Sequence, residues 1–99
     1  DDDLQIIADL FPKLEMLSLN NNKIKGTGIQ YLRKLPLAEL YLEKTIISDE
    51  TVKYFAGFKN CEIYLLNTKV TKKGKEEILR ITKDCLVSIK EGDLAPPKE

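Results

Sequence analysis

Glutamate and tyrosine alternate at two places in the chain, and these side chains are the best candidates for binding another molecule. Glu39, Tyr41 and Glu43 stand at every second position, and Glu62 and Tyr64 repeat the first two of them at an interval of 23. Side chains two apart in a β-strand point to the same face. Tyrosine combines a large contact area with a polar tip and is favoured at interfaces. The pattern therefore predicts a ligand with a basic group, unless the rings stack only to favour the sheet.

The same residues give little support to catalysis. The chain contains no His, so a Ser, Cys or Thr nucleophile lacks its usual base, and zinc or haem sites lack a usual ligand. Glu39 and Glu62 could form a carboxylate pair, but we expect them on an open surface that does not exclude water. We predict that the protein is not an enzyme and that it holds no cofactor or metal.

Two further motifs have ordinary structural explanations. Gly26-x-Gly28 lacks the rest of a dinucleotide-binding fingerprint. A basic cluster around the third repeat indicates a solvated face, with a weak anion or membrane-surface contact as the alternative. The cluster consists of Lys69, Lys72, Lys73 and Lys75.

A regularly repeated pattern must position all these side chains. Apolar residues at every second position predict a strand with one buried face, and apolar residues three or four apart after each strand predict a helix. Parallel strands need such crossovers, so the alternation predicts an α/β fold with a parallel sheet on one side and helices on the other. The units, which recur at the same interval of 23, are Leu17-x-Leu19-x-x-Asn22-x-Ile24, Leu40-x-Leu42-x-x-Thr45-x-Ile47 and Ile63-x-Leu65-x-x-Thr68-x-Val70.

Helix boundaries carry recognisable signals. Ser48 and Thr71 stand where N-cap side chains accept a backbone hydrogen bond. In the leading helix, we expect Ile6, Ile7 and Leu10 to face the rest of the protein. The predicted helices cover 2–10, 26–35, 49–57 and 72–82.

The final strand requires one inserted residue. A strict spacing of 23 would bury Leu86 and Ser88, whereas a spacing of 24 buries Val87 and Ile89 instead. A shift of one residue moves every side chain of a strand to the other face. We therefore predict the longer spacing.

Two cysteines become neighbours in that register. Cys61 and Cys85 are too few for a disulfide framework, and they do not form a C-x-x-C pair. Strand spacing permits the separation that a disulfide needs, although side-chain directions on adjacent parallel strands rarely suit one. Free thiols and a bridge both remain open, and a redox function has little support.

Residues in the asparagine position of the pattern have a structural interpretation. We expect Asn22, Thr45 and Thr68 to be buried and to bond backbone groups of the turns, which would otherwise lack partners.

Outward side chains of the four predicted strands form three columns across the sheet. Neighbouring strands lie about 4.8 Å apart, so residues of one column touch. The columns are Met16, Glu39, Glu62, Leu86; Ser18, Tyr41, Tyr64, Ser88; and Asn20, Glu43, Leu66, Lys90. The predicted binding residues among them are Tyr41, Tyr64, Glu39, Glu62, Glu43, Ser18 and Leu66.

These motifs resemble a bacterial subgroup of the leucine-rich repeats, whose period runs from about 20 to 29 residues. Ile47-Ser-Asp-Glu-Thr-Val-Lys-Tyr-Phe-Ala-Gly-Phe-Lys-Asn60 is similar to the unit V-T-D-x-G-L-x-x-L-x-x-L-x-N. Leu66-Asn-Thr-Lys-Val-Thr71 resembles its G-T-x-V-T turn, and Thr82-Lys-Asp-Cys-Leu-Val-Ser88 resembles the closing L-P-x-C-x-V. The similarity covers about residues 2–90. It implies a right-handed solenoid with the sheet on its concave side and helices on its convex side.

The resemblance also shapes the functional expectation. It implies a non-catalytic module that binds a protein or peptide through the concave sheet, in a bacterial protein of the cell envelope or another extracytoplasmic place. The alternative is a purely structural terminal segment of a longer array or of a multidomain envelope protein, in contact with its other domains. Because the chain starts without Met, we expect a mature product, an excised domain or part of a longer protein.

Composition bounds the remaining possibilities. Lys and Arg together number 16, as do Asp and Glu, so the balanced charge predicts no nucleic-acid partner. No apolar run approaches the roughly 20 residues of a membrane span. We predict one repeat domain over 1–90 and a loose tail over 91–99.

Overall fold

Four short parallel strands form one sheet, in the order in which they occur along the chain. The computed structural model describes residues 1 and 3–90 of the 99, so the predicted tail lies outside the described residues. A helix precedes the first strand, and another helix lies between each strand and the next. The elements are α1 (Asp3–Leu10), β1 (Met16–Ser18), a first 3-10 helix (Thr27–Lys34), β2 (Glu39–Tyr41), a second 3-10 helix (Val52–Phe55), β3 (Glu62–Tyr64), α2 (Lys72–Ile81) and β4 (Leu86–Ser88).

The register of the sheet confirms the predicted spacing, including the inserted residue. Leu17 pairs with Leu40, and Leu40 pairs with Ile63, each at an interval of 23. Ile63 pairs with Val87, an interval of 24. Val87 is buried, and Ile89 packs against the core. Burial on one face thus sets the register of the last strand.

Apolar side chains of the strands and helices form a single core cluster. Leu40 and Ile63 are fully shielded from solvent because each has a strand on both sides. Leu17 occupies the same position in β1 and is only half-buried, since β1 has one neighbouring strand in the described sheet. The helices contribute Leu32 and Phe55, which are also fully buried. The mixed α/β architecture with a parallel sheet is as predicted.

Two of the predicted helices are 3-10 helices and are shorter than expected. The segment predicted over 49–57 is helical only from Val52 to Phe55. Ala56 leaves the helical conformation with a ψ of 134°, and Gly57 has a φ of 88°. Glycine adopts positive φ without steric cost, which ends the helix early. A 3-10 helix is the usual form of such short pieces. Among the described helices, none has the length and hydrophobicity that a bilayer span requires.

The predicted buried face of α1 is right for Ile7 and wrong for Ile6 and Leu10. Leu4 and Ala8 are buried and Ile7 is partly buried, whereas 55 % of Ile6 and 66 % of Leu10 is exposed. Residues three and four apart share a helix face, so Leu4, Ile7 and Ala8 form one side of α1. That side packs on the first 3-10 helix, and Ile6 and Leu10 point the opposite way.

The predicted cap at Thr71 is also wrong, although the residue does stand at the N-cap position of α2. Its side chain makes no capping hydrogen bond. Its hydroxyl donates to Asp49 Oδ2 at 2.5 Å, and its backbone N–H donates to Asp49 Oδ1 at 2.9 Å. Ser48 is not an N-cap either, because the second 3-10 helix begins at Val52 and Thr51 occupies its N-cap position. The Ser48 hydroxyl nevertheless accepts the N–H of Glu50 at 3.3 Å.

Polar residues at the asparagine position bond to backbone, as predicted, but within their own turns. Each donates to the carbonyl oxygen three residues earlier. Thr45 is buried, Thr68 is half-buried and Asn22 is exposed. The predicted burial of Asn22 is therefore wrong, because this turn lies beside β1 at the edge of the sheet. The bonds are Asn22 to Leu19 at 2.9 Å, Thr45 to Leu42 at 2.8 Å and Thr68 to Leu65 at 2.7 Å.

The two faces of α1 should respond differently to truncation. Leu4→Ala removes a buried side chain and should lower the free energy of unfolding by about 2 kcal/mol. Leu10→Ala removes a similar volume from solvent and should change it by less than about 0.5 kcal/mol. Urea unfolding followed by circular dichroism measures both. Equal losses in the two variants would contradict this orientation of α1.

Candidate functional site

Strand pairing brings the predicted binding residues together on the sheet face opposite the core. Glu39 lies beside Glu62, and Tyr41 lies beside Tyr64. Ser18 lies on the open side of Tyr41. We call this surface the tyrosine face. It consists of Met16, Ser18, Glu39, Tyr41, Glu62, Tyr64, Leu86 and Ser88, with Glu43 and Leu66 beyond the strand ends.

Glu43 and Leu66 belong to the turns that leave the strands. The N–H of Glu43 donates to Asn20 Oδ1 at 2.7 Å, and the N–H of Lys44 donates to the carbonyl oxygen of Leu66 at 3.0 Å. Contacts between neighbouring strands therefore continue past β2 and β3 into the third predicted column, and Glu43 belongs to the turn at the rim of the tyrosine face.

The two tyrosine rings form a stacked pair. Their centroids are 4.5 Å apart and their planes differ by 8°. The hydroxyl of Tyr64 donates to Glu62 Oε1 at 2.8 Å, and the hydroxyl of Tyr41 donates to Glu39 Oε1. Each ring is thus held by its neighbour across the sheet and by a carboxylate two residues earlier on its own strand. Such restraint reduces the side-chain entropy that a binding partner must remove.

The carboxylates also disfavour ionisation of the phenols. The hydrogen bond from Tyr64 to Glu62 is the main cause that raises the pKa of Tyr64 far above its usual value, with burial second. The hydrogen bond to Glu39 likewise raises the pKa of Tyr41, again followed by burial. A phenolate beside a carboxylate would lose the hydrogen bond and gain repulsion. Both tyrosines therefore remain neutral donors near pH 7.

Glu39 and Glu62 are like charges at directly opposed positions, an arrangement that is unfavourable in a sheet. Within the described part of the chain, neither carboxylate forms an ion pair. Their hydrogen-bond donors are the two neutral phenols. The row continues on both sides into exposed apolar side chains, Met16 at 56 % and Leu86 at 49 % exposure. The tyrosine face thus combines uncompensated negative charge with accessible apolar surface.

The two serines that flank the tyrosines differ. Ser18 is exposed, whereas Ser88 is only 4 % exposed. The hydroxyl of Ser88 donates to the carbonyl oxygen of Lys90 at 2.9 Å. The open side of the ring pair is therefore the side of Tyr41.

Sizeable grooves of the described surface lie away from the tyrosines. One of about 540 Å³ is bordered by Arg33, Pro36 and Lys59, and another of about 540 Å³ lies between Asp49 and Arg80. Neither includes a residue of the tyrosine face. Small molecules usually bind in concave pockets, so this face suits a flat or extended partner better.

Cys61 and Cys85 are free thiols, and both are buried. Burial is the main cause that raises the pKa of the Cys61 thiol to about 12, and the neighbouring Cys85 adds to it. Since the thiolate is the reactive form, this environment does not suit a nucleophile.

The Gly26-x-Gly28 amides are occupied by a carboxylate of the chain itself. Asp1 Oδ1 accepts the N–H of Gly26 at 3.0 Å and of Gly28 at 3.1 Å, and Asp1 Oδ2 accepts the N–H of Lys25 at 2.9 Å. The linking roles of Asp1 and of Asp49 were not predicted from the sequence. Each carboxylate bonds residues near the start of a helix 22 to 27 residues further along the chain, so its place in the sequence beside a different helix start gave no signal for this role.

Comparisons with known proteins do not identify the chain. No protein-family model, no curated protein and no solved structure matches it.

Tyrosine ionisation should depend on the paired glutamates. Glu62→Gln removes the negative charge, so the pKa of Tyr64 should fall toward its ordinary value of about 10. Because the folded-state pKa of Tyr64 is raised, its stabilising contribution is complete below about pH 10 and is lost as the pH rises through the raised value. Alkaline titration of tyrosinate absorbance measures the pKa of Tyr64. Unfolding measurements above pH 10 measure the loss of stability. Glu43→Gln is the matched control, and an equal effect there would contradict the assignment.

Cys61 should resist alkylation in the folded protein. Its raised pKa and its burial should slow its reaction with iodoacetamide on the order of 100-fold or more relative to the chain in urea. Mass spectrometry of timed digests measures this for Cys61 and Cys85 separately. Similar rates in the folded and unfolded states would show that the thiol is accessible.

Proposed function

We propose that this protein is a leucine-rich repeat module that binds a protein or peptide through the tyrosine face. The observation that carries the proposal is the stacked pair of Tyr41 and Tyr64, held by two carboxylates that lack a cationic partner in the described chain. Aromatic side chains that are rigid and accessible are typical interface anchors. The proposed function is non-catalytic.

The repeat spacing supports the proposed architecture. The paired strands follow one another at intervals of 23, 23 and 24, and each interval contains a helix. Units of this length, each burying its apolar face against the next, are the pattern of leucine-rich repeats. In a right-handed solenoid of this type the tyrosine face would be concave, which suits an extended partner.

Charge favours a basic partner. A Lys or Arg side chain placed near Glu39 and Glu62 would relieve the repulsion between them, and Glu43 would extend the negative field. Complementary charges of this kind contribute mostly to specificity and to the rate of association. The apolar contacts would come from the tyrosine rings together with Met16 and Leu66.

A second candidate is a structural segment of a longer repeat array, and the surface beside β1 favours it. Ile6, Leu10 and Phe11 are more than half exposed, and Leu17 is only half-buried. One edge of β1 also lacks a neighbouring strand in the described sheet. Another strand–helix unit stacked there would cover all of these groups.

Removal of both rings should weaken binding without unfolding the protein. With a peptide rich in Lys and Arg as the probe, Tyr41→Ala combined with Tyr64→Ala should raise the dissociation constant at least about tenfold. Isothermal titration calorimetry measures this change. Tyr31→Ala, in the first 3-10 helix, is the control and should bind as the unaltered protein does.

Unchanged binding by the double variant would favour the structural segment over the binding module. If the double variant and the unaltered protein bind basic peptides and candidate protein partners equally, the tyrosines are not anchors. If, in addition, Leu10→Lys abolishes association with an added repeat unit, the structural role is the better explanation.

A further inference from the structure

The column that contains the two tyrosines has large side chains in its middle and small side chains at its two ends. In order across the sheet it holds Ser18, Tyr41, Tyr64 and Ser88. Both rings stand over their own strands, because their 4.5 Å separation is close to the ordinary strand spacing of about 4.8 Å. A serine side chain ends at its hydroxyl, so Ser18 itself places no ring beside Tyr41. One face of Tyr41 is therefore uncovered by the column.

The layer that Ser18 leaves unfilled in this column is about as thick as one planar group. Stacked planar groups are separated by roughly 3.5–4 Å, the contact distance of carbon atoms, which is within one strand spacing. The layer is bounded below by the exposed Ser18 and on one side by the ring face of Tyr41. Exposed Met16 borders it along β1. We call this space the Ser18 slot.

The corresponding layer beside Tyr64 is different. Ser88 is almost completely buried and its hydroxyl is engaged with the carbonyl oxygen of Lys90. Of the two serines that flank the ring pair, only Ser18, on β1, is therefore exposed to solvent.

We propose that the Ser18 slot takes an arginine side chain of the partner, stacked on Tyr41 and paired with Glu39. This proposal rests on the proposed function, because it names the side chain that the tyrosine face recognises. The guanidinium extends the stack Tyr64–Tyr41 by one more planar layer. Its N–H donors lie in its own plane and reach outward from the stack, toward the carboxylate and the serine hydroxyl.

Hydrogen-bonding capacity at the slot matches this occupant. The hydroxyl of Tyr41 occupies Glu39 Oε1, and Glu39 Oε2 has no donor in the described chain. The hydroxyl of Ser18 likewise has no hydrogen bond there. Both acceptors can receive N–H groups of a guanidinium. A lysine side chain is positively charged but has no planar group to stack on Tyr41. A neutral planar group can stack on Tyr41 but has no charge to pair with Glu39.

Ring orientation is set before the ligand arrives. Tyr41 is stacked on Tyr64 within 8° of parallel and bonded to Glu39, so it presents a fixed face. Arginine over the face of tyrosine is a common cation–π arrangement, and at exposed sites such contacts are individually weak. A single side chain should therefore bind weakly, and a longer partner would add contacts along the tyrosine face.

The test compares three matched small probes by NMR. N-acetyl-arginine amide should shift the Tyr41 ring and Ser18 amide resonances in a saturable manner. N-acetyl-citrulline amide has the same shape without the charge, and N-acetyl-lysine amide has the charge without the plane. Each should bind at least about threefold more weakly than the arginine probe.

Substitutions of Ser18 provide a second, independent test of the Ser18 slot. Ser18→Leu fills the layer beside Tyr41 and should weaken arginine binding at least about fivefold, whereas Ser18→Ala leaves the space open and should change it less than about twofold. Ser18 is exposed on an edge strand, so both variants should fold, which the amide spectra confirm independently.

Three results would overturn the slot. They are no saturable shift of Tyr41 with the arginine probe, equal binding of the citrulline or lysine probe, and unchanged arginine binding by Ser18→Leu. The experiments distinguish an error in the Ser18 slot proposal from an error in the proposed function. If Ser18→Leu still binds the basic peptide but the Tyr41→Ala, Tyr64→Ala variant does not, the tyrosine face stands and only the slot falls.

Discussion

The whole structure depends on apolar side chains that lie in register across parallel strands. Leu40 is covered by Leu17 on one side and by Ile63 on the other, and it is shielded from solvent completely. Full burial of one such side chain is worth about 1.5–3 kcal/mol. Strands of three residues make few hydrogen bonds each, so this repeated burial is what holds them in one sheet. The half-buried Leu17 shows the consequence of a missing neighbour.

Polar side chains form hydrogen bonds between the turns that strand pairing and apolar packing bring close together. The carboxylate of Asp49 accepts two hydrogen bonds from Thr71, and the hydroxyl of Thr51 donates to the carbonyl oxygen of Lys25 at 2.6 Å. Asp1 accepts three backbone N–H groups of the first turn. Backbone groups at helix ends need such partners. Each link spans two successive units, so the polar bonds and the apolar core enforce the same stacking.

The same register produces the unusual chemistry of the tyrosine face. Because residues one period apart become neighbours, a glutamate must lie beside a glutamate and a tyrosine beside a tyrosine. The tyrosines gain from stacking, while the glutamates repel each other. The phenol hydroxyls partly offset that repulsion by donating to the carboxylates. What remains is a rigid aromatic pair beside uncompensated negative charge, which is the basis of the proposed preference for a basic partner.

Periodicity in the sequence determined the strand positions, their pairing and the residues that share the tyrosine face. It also predicted the extra residue before β4, because only that spacing buries Val87. These properties are local, since a side chain of a strand has two possible faces and burial selects one. Contacts between units decided the rest: the buried side of α1, the donation from Thr71 to Asp49, and the difference between exposed Ser18 and buried Ser88. Such features depend on which neighbour covers a residue, and that neighbour is known only once the units are stacked in space.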